Sequence, residues 1–496
     1  MISQQNQNIM FPKWISNKAI IIYGIALVIV TGMYFAHSMP WYYMLSGVVS
    51  VLVFFYYGNQ LTRKWSPDRV RSEKRFEKKI FTTAFMLRVA WMFLIYFVFL
   101  NSYGDAFGFE NADADFYDQL GEFSAERFRA GDFLIKKDIE RWGGRVDISD
   151  MGYGYYVGLV YLLTNNSILA VRLLKCLWSA ITVVLMYRLA KRNFGEDVGR
   201  MTAIFCMLWP NFWYYCGTHL KETEMVFLAV LFVEQTDDML RSRNFTMWKI
   251  APILLISLIL FTFRTPLALV TVLCLLFSVV MSSSRVVGWG KRIVIGVLAA
   301  GLIGVTMGNV IQENAQELLN KARSGEQQTN MEWRAERDNG NKFAKYAGKA
   351  VFAPMIFTIP FPSMVRPFDG QDVQQLLNGG NYIKNVLSYF TILVLFMLLF
   401  SGRWREHLVP LSYMLGYLVV LVMSVFAQSE RFHQPAMPIE LMFAAYGIQQ
   451  VLQGVPIVPG IGSRAKYRQW FTYWMYFMFV VCIAWNWFKM AGRGIA

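Results

Sequence analysis

Long apolar segments recur from one end of this chain to the other, and they constrain its fold more than any other feature. A helix needs roughly 20 apolar residues to cross the hydrocarbon core of a bilayer, and these segments have about that length. Backbone groups in lipid must be satisfied within each segment, so repeated spans predict helices. Apolar residues make up 55% of the 496, which argues against an ordinary soluble multidomain protein. We therefore predict an all-α, polytopic transmembrane helical bundle.

The apolar segments predict about thirteen crossings. Two shorter pieces predict partial or interfacial helices in the outer loops, at residues 153–164 and 351–362. The span interiors look nearly free of charge, and the five cysteines fall in or beside apolar segments, as small core residues do. The predicted crossings are residues 19–33, 41–57, 80–100, 168–189, 201–216 and 222–237, a hairpin over 250–280, and 293–307, 382–400, 408–427, 436–452 and 470–487.

Charge in the short loops predicts the orientation. Residues 61–79 hold eight Lys or Arg against three acids, which places them in the cytoplasm and the next loop, residues 101–152, on the outer face. The net charge of +15 is then a topology signal and not a sign of nucleic-acid binding. We divide the chain into a two-span addition with a basic loop (1–79), a catalytic core (80–308), a second outer loop with a partial helix (309–381) and C-terminal helices (382–496).

Residues 101–151 are acidic in an otherwise basic protein, with twelve Asp or Glu against six Lys or Arg. Such density beside a membrane is costly unless water, a cation or a polar ligand meets it. Asp113 and Asp115 stand out, and at this spacing they point to different sides of a helix, so we expect only one to face a substrate. We expect the remaining acids to belong to a solvated loop.

Further polar residues fall in turns predicted on the same outer face. A turn at 217–222 contains His219, Lys221 and Glu222, although an acid in a first helical turn is also ordinary capping. Other such turns contain Arg264, Arg366, Arg431 and His433. This convergence is the strongest functional inference from the residues alone.

The order of these features is similar to that of a known family. The pattern Asp113-Ala114-Asp115-Phe116-Tyr117, followed by Arg172, the helix end at 187–195 and Trp209-Pro210-Asn211, resembles the C-type glycosyltransferases. Over residues 105–232 the likeness is to the branch of protein O-mannosyltransferases and lipid A aminoarabinose transferases. Those relatives place the acidic loop after their first span, whereas here two further spans precede it.

The resemblance implies an enzyme of the bacterial inner membrane. It would transfer a sugar from a polyprenyl-phosphate donor, such as undecaprenyl phosphate, to a glycan, lipid or protein acceptor on the periplasmic side. Such chemistry requires a base at the acceptor hydroxyl and positive charge at the departing phosphate. The implied roles are Asp113 as base with Asp115 and Glu222 as further catalytic acids; Arg431, Lys221, Arg264 and Arg366 at the phosphate; Tyr117, His219 and His433 lining the substrate; and Asp115 as a ligand of a divalent cation, Mg²⁺ or Mn²⁺, whose requirement stays open.

Two alternatives remain. A polymerase or ligase of lipid-linked oligosaccharide, of the O-antigen type, also needs outer arginines, but it would place its key basic residues in a large later loop, here residues 308–349. A transporter or flippase would carry ionisable residues in mid-helix and show repeated halves. The sequence shows no convincing repeat, and it favours the transferase.

Overall fold

The described part of the chain is helical. A computed structural model describes residues 10–108, 111–133, 148–242, 247–281, 296–297, 301, 304, 355–365, 373–423, 429–457 and 462–491. Within these ranges there are helices and turns, and the only β-structure is an isolated bridge between Ser38 and Val365. The all-α prediction is confirmed.

We number the principal helices in chain order. They are α1 (Lys13–Met33), α2 (Trp41–Lys64, with a π-helical turn at Val53–Tyr57), α3 (Glu73–Tyr103), α4 (Asn111–Arg129), α5 (Ile148–Thr164), α6 (Ile168–Phe194), α7 (Glu196–Leu208), α8 (Pro210–Gly217), α9 (Glu222–Arg241), α10 (Ile250–Phe263), α11 (Thr265–Met281), α12 (Asn378–Ser401), α13 (Leu408–Met423), α14 (Glu430–His433), α15 (Met437–Gln453) and α16 (Arg464–Ala491).

Six of these helices are long and apolar enough to cross a membrane, namely α1, α2, α3, α6, α12 and α16. Two shorter apolar helices, α10 and α11, form a hairpin. The structure does not confirm thirteen crossings. The predicted crossing at 293–307 and the second outer loop at 308–349 lie almost entirely outside the described residues.

The crossing predicted at residues 201–216 is not one continuous helix, because two helices occupy this segment. Helix α7 ends at Leu208 and α8 starts at Pro210. Proline has no N–H to donate to the preceding turn and pushes the residue before it out of the α-region. Trp209 accordingly has an extended backbone, with ψ 117°.

Two helices that run parallel, α4 and α5, form the described part of the acidic loop. The predicted partial helix at 153–164 is the C-terminal part of α5, which packs along α4 and against α10. Glycines permit this close packing, since a Cβ atom at Gly158 would lie 2.4 Å from Cβ of Ser124. Because the two helices are parallel, their N-terminal ends, where Asp113 and Asp150 lie, are at the same end of the pair.

The rest of the bundle is organised around two central helices. Helix α6 packs against α3, α7 and α9, and α12 packs against α15 and α2. The N-terminal helix α1 packs against the C-terminal α16. All five cysteines are buried, as expected of small core residues.

The expectation of nearly charge-free spans was wrong. Arg88 of α3 is fully buried, and it donates hydrogen bonds to Ser179 Oγ (2.6 Å) and to the carbonyl oxygen of Cys206 (3.1 Å). Lys384 of α12 is also buried. These charges are tolerated because carbonyl and hydroxyl oxygens satisfy their donors inside the bundle.

Candidate functional site

Three residues that are far apart in the sequence meet at one end of the bundle. Arg431, on the single turn α14, places Nη1 2.5 Å from Oδ2 of Asp113 at the start of α4. Its Nε donates a hydrogen bond to Oε1 of Glu222, the first residue of α9. The structure thus brings together the candidate base, a second candidate acid and the first-choice phosphate ligand.

The three side chains differ in their access to solvent. The side chain of Glu222 is 1% exposed, that of Arg431 is 16% exposed and that of Asp113 is 56% exposed. Burial acts to lower the pKa of Arg431, but Glu222 and then Asp113 raise it, and the net result lies well above the ordinary value. Arg431 is therefore a permanent cation with a buried and an open anionic partner.

A second ion pair lies between Lys221 and Asp150, at the start of α5. Lys221 also donates a hydrogen bond to the carbonyl oxygen of Phe263 (2.8 Å), and Tyr117 donates one to Asp150 (2.9 Å). The Lys221 ammonium lies 5.6 Å from the centroid of the Tyr117 ring. Burial lowers the pKa of Lys221, although Asp150 acts in the opposite direction.

Arg264 ends α10 and stacks on the residue after Arg431. Its guanidinium lies 4.0 Å from the centroid of the Phe432 ring. The charge of Arg264 also contributes to lowering the pKa of Lys221, after burial, so the two cations are neighbours. Arg431, Lys221 and Arg264 thus gather at one end of the bundle, while Arg366 lies outside the described residues.

The two histidines predicted to line the substrate are both buried. His219 lies 3.8 Å from Oδ1 of Asp118, and neither of its ring nitrogens has a hydrogen-bond partner in the described part of the chain. His433 binds Lys384 through Nδ1, at 2.8 Å. Neither reaches an open surface, and their contact with substrate stays a prediction.

Asp115 points away from Asp113, as the spacing predicts. Its Oδ2 accepts a hydrogen bond from Gln119 (2.8 Å) on the next turn of α4. Among the described residues there is no group of three or more His, Cys, Asp or Glu side chains placed to hold a metal ion. The divalent-cation role of Asp115 stays a prediction.

Not all of the other acids are solvated, which corrects the expectation for this loop. Asp118 accepts a hydrogen bond from Tyr161, and burial raises the pKa of its carboxyl group. Asp150 neutralises Lys221. Lys175, which was not predicted as a site residue, is buried 3.3 Å from Oε2 of Glu224, and an ionisable residue inside an apolar span is itself a signal of function.

An apolar groove of about 480 Å³ lies between α2, α3 and α8 and reaches the residues just before α12. Several of its lining side chains are about half exposed on the side of the bundle, including Tyr42, Leu45 and Leu94. Its end at Leu377 is one turn from Asn381, which donates a hydrogen bond to Glu430, the neighbour of Arg431. The groove thus approaches the site from the apolar side of the bundle.

One family model matches the chain. Residues 150–310, about a third of the sequence, match the Alg9-like mannosyltransferase family. The matched segment contains Lys221, Glu222 and Arg264 but neither Asp113 nor Arg431. No curated protein sequence and no solved structure shows significant similarity to the chain. The match indicates a glycosyltransferase of the C-type that is embedded in a membrane and uses a lipid-linked donor; the O-mannosyltransferase and aminoarabinose transferase branch is not confirmed.

Proposed function

We propose that this chain transfers one sugar, mannose in the first instance, from a polyprenyl phosphate to an acceptor on the periplasmic face of a bacterial inner membrane. The observation that carries the proposal is the contact of Arg431 with both Asp113 and Glu222. The carboxylate of Asp113 lies on the solvent-exposed side of this contact, and the buried Glu222 holds the cation of Arg431 from the other side. Mannose is suggested by the matched family.

The arrangement supports an inverting displacement. The acceptor hydroxyl attacks the anomeric carbon as the bond to the phosphate oxygen breaks, and the electron pair leaves with the phosphate. Asp113 takes the hydroxyl proton, and Arg431 neutralises the leaving group. Glu222 holds Nε of Arg431, so Nη1 can exchange Asp113 for a phosphate oxygen without losing its position. Donor binding would thereby release Asp113 to act as the base.

Two neighbouring cations support the same assignment. Arg264 and Lys221 lie beside Arg431, and a guanidinium can bind phosphate oxygens through two parallel N–H groups. Lys221 is already paired with Asp150, so Arg264 has more of its charge available to the donor. We assign the phosphate to Arg431 and Arg264, with Lys221 positioning the loop.

The apolar groove suits the hydrocarbon part of such a donor. Tyr42 lies near the start of α2 and Val98 near the end of α3, which are the ends assigned to the outer face. The groove therefore lies in the outer half of the membrane. Chain binding there would bring a phosphate toward α14 without moving it across the bilayer.

The exchange of Asp113 for Asn tests the proposed base. Purified protein in nanodiscs would receive polyprenyl-phosphate mannose, with membranes of a deletion strain as the source of acceptor. We expect a loss of at least about 100-fold in rate, the usual size of a general-base contribution. Asp115→Asn is the comparison variant that separates the two acids, because Asp115 lies two residues from Asp113 and accepts its hydrogen bond from Gln119.

Wild-type transfer by Asp113→Asn would remove the base assignment, and wild-type transfer by Arg431→Ala would remove the site altogether. The product distinguishes the alternative enzyme, because a polymerase would give a ladder where a transferase gives a single added sugar. If Asp115→Asn instead loses activity and added Mg²⁺ or Mn²⁺ restores it, the metal role of Asp115 is supported.

A further inference from the structure

Helix α14, which carries Arg431, is only four residues long. A single helical turn is not stable by itself, because nucleation fixes several dihedral angles for one hydrogen bond. The position of the Arg431 guanidinium therefore depends on what holds this turn. Within the described residues, Asn381 and Lys384 of α12 bind its two ends and Tyr417 of α13 binds the carbonyl oxygen of Phe432.

Lys384 binds the C-terminal end of the turn. Its ammonium lies 2.8 Å from Nδ1 of His433 and 2.8 Å from the carbonyl oxygen of Ile359, and Oε2 of Glu440 lies 3.8 Å away. All of these side chains are buried. A protonated Lys384 can only donate, so Nδ1 of His433 then accepts and the imidazole is neutral with its proton on Nε2.

Asn381 binds the N-terminal end of the same turn. Its Nδ2 donates a hydrogen bond of 2.8 Å to Oε1 of Glu430, the first residue of α14. Asn381 and Lys384 are three residues apart and share one face of α12. One face of α12 therefore contacts both Glu430, which precedes Arg431, and His433, two residues after it.

Further contacts leave the turn little freedom to rotate. Tyr417 of α13 donates a hydrogen bond of 2.8 Å to the carbonyl oxygen of Phe432, and Gln434 donates one of 2.7 Å to the carbonyl oxygen of Glu430. The side chain of Arg431 projects from this fixed backbone toward Glu222 and Asp113.

We propose that Lys384 and Asn381 are positioning residues for Arg431. They contact no part of the open site, and they act by holding α14 where the guanidinium reaches both Glu222 and the leaving phosphate. The proposal rests on the proposed function of Arg431. A displacement of about 1 Å at a catalytic group can cost about 100-fold in rate, so a loosened turn should reduce turnover strongly.

Glu440 determines how Lys384 must be tested. Removing the ammonium alone would leave a buried carboxylate without its cation, which is strongly destabilising in itself. The pair Lys384→Met/Glu440→Met removes both charges at similar volume and leaves His433 without its donor. Asn381→Leu is an independent second variant at the other end of the turn.

The test combines these changes with Arg431→Lys, which keeps a positive charge but loses the guanidinium fork. We expect Lys384→Met/Glu440→Met and Asn381→Leu each to lower kcat about 10- to 100-fold. In the Arg431→Lys background the same changes should cost less than about threefold, because residues that act through one group are not additive. If the α12 residues had only a structural role, the fold-losses in kcat of the separate variants would multiply in the combined variant.

Asn486→Leu provides a matched control. Asn486 is buried, and it accepts a hydrogen bond from the backbone N–H of Met364 (2.7 Å) and donates one to the carbonyl oxygen of Pro362 (3.2 Å). It anchors the segment that Lys384 also binds, but it does not touch α14. We expect Asn486→Leu to have near-normal kcat. Any small loss should be the same factor in the Arg431→Lys background as in the wild type.

The outcomes separate the two proposals. Suppose that Arg431→Lys and Arg431→Ala both lower transfer. The positioning role is overturned, and the proposed function stands, if both α12 variants keep kcat within threefold of wild type. The same conclusion follows if each α12 variant lowers kcat by the same factor in the Arg431→Lys background as in the wild type. If Arg431→Ala retains wild-type transfer, the proposed function fails first. Should the double variant not give a monodisperse protein, Asn381→Leu decides the matter.

Discussion

Glu222 and Asp113 contact the same guanidinium, but their burial predicts different consequences when each is neutralised. Glu222→Gln leaves the buried Nε of Arg431 without an anion, and breaking a buried pair costs about 3–5 kcal/mol. Asp113 is more than half exposed, and an exposed pair is worth about 1 kcal/mol or less. We therefore expect Glu222→Gln to lower the melting temperature in detergent clearly and Asp113→Asn to leave it almost unchanged.

Both variants should lose activity, so thermal melting separates structure from chemistry. An equal fall in melting temperature for the two variants would show that Asp113 is also a structural anchor, and the loss of transfer in Asp113→Asn would then say nothing about a base.

His219 predicts how stability depends on pH. Burial, and then the charges of Lys175 and Arg172, lower its pKa well below the ordinary 6.5. Above pH 6.5 the imidazole is neutral in both folded and unfolded chains, so it costs nothing. As the pH falls, the unfolded chain takes up a proton that the folded chain does not, and stability is lost until the folded pKa is reached. Between pH 7 and pH 5 this amounts to about 2 kcal/mol.

The variant His219→Leu measures this contribution. Its melting temperature should fall less than that of the wild type between pH 7 and pH 5. The comparison is needed because the raised pKa of Asp118 acts with the opposite sign, stabilising the folded chain in acid. Equal pH dependence in wild type and variant would show that His219 is not held neutral by the fold.

The sequence identifies the residues of this site unevenly. Asp113, Glu222 and Arg431 could be named because each is a charged residue in a turn next to an apolar span. Lys384 could not, since its partners Ile359 and His433 are brought to it only by the packing of α12. A charged residue in a turn beside an apolar span can be recognised from the local sequence. The role of a charged residue buried between helices can be inferred only when its contacts are known.

The parallel helices α4 and α5 position Asp113 through close packing at glycine. A Cβ atom at Gly158 would lie 2.4 Å from Cβ of Ser124 and 3.2 Å from the backbone nitrogen of Ala125, so the helices must separate to admit a larger side chain. We expect Gly158→Val to cost about 1–3 kcal/mol in stability. It should also lower transfer, because α4 carries Asp113.

Gly24→Val is the matched control, since Gly24 of α1 is exposed and a Cβ there would meet no atom within 4 Å. Transfer and melting temperature should both be normal in this variant. Normal transfer in Gly158→Val would mean that the packing of α4 on α5 does not set the position of Asp113.

The ends of the helices are predicted less well from the sequence than their apolar centres. The sequence predicts the third crossing at 80–100, but α3 starts at Glu73, because charged residues continue the helix beyond its apolar part. Hydropathy reports the membrane portion of a helix and not its ends. The break at Trp209 was visible as a proline, but its meaning depends on whether neighbouring helices satisfy the freed backbone.

In the whole molecule, the N-terminal helices close the bundle against its C-terminal part. Helix α1 packs on α16 and α2 on α12, and α2 also forms one wall of the apolar groove. No local pattern predicts such contacts between segments more than 300 residues apart. The first two spans, α1 and α2, are therefore packed against α16 and against α12, the helix that contacts α14.

The side of the membrane on which the site lies is the last prediction, and single cysteines test it. All five native cysteines are buried, so background labelling should be low. Ala130, at the end of α4, and Ser72, in the basic loop, are both exposed, whereas Ser124 is buried and unsuitable. A membrane-impermeant maleimide added to intact cells should label Ala130→Cys, and should label Ser72→Cys only after permeabilisation. The reverse pattern would place Asp113 and Arg431 in the cytoplasm and would require a donor on the inner leaflet.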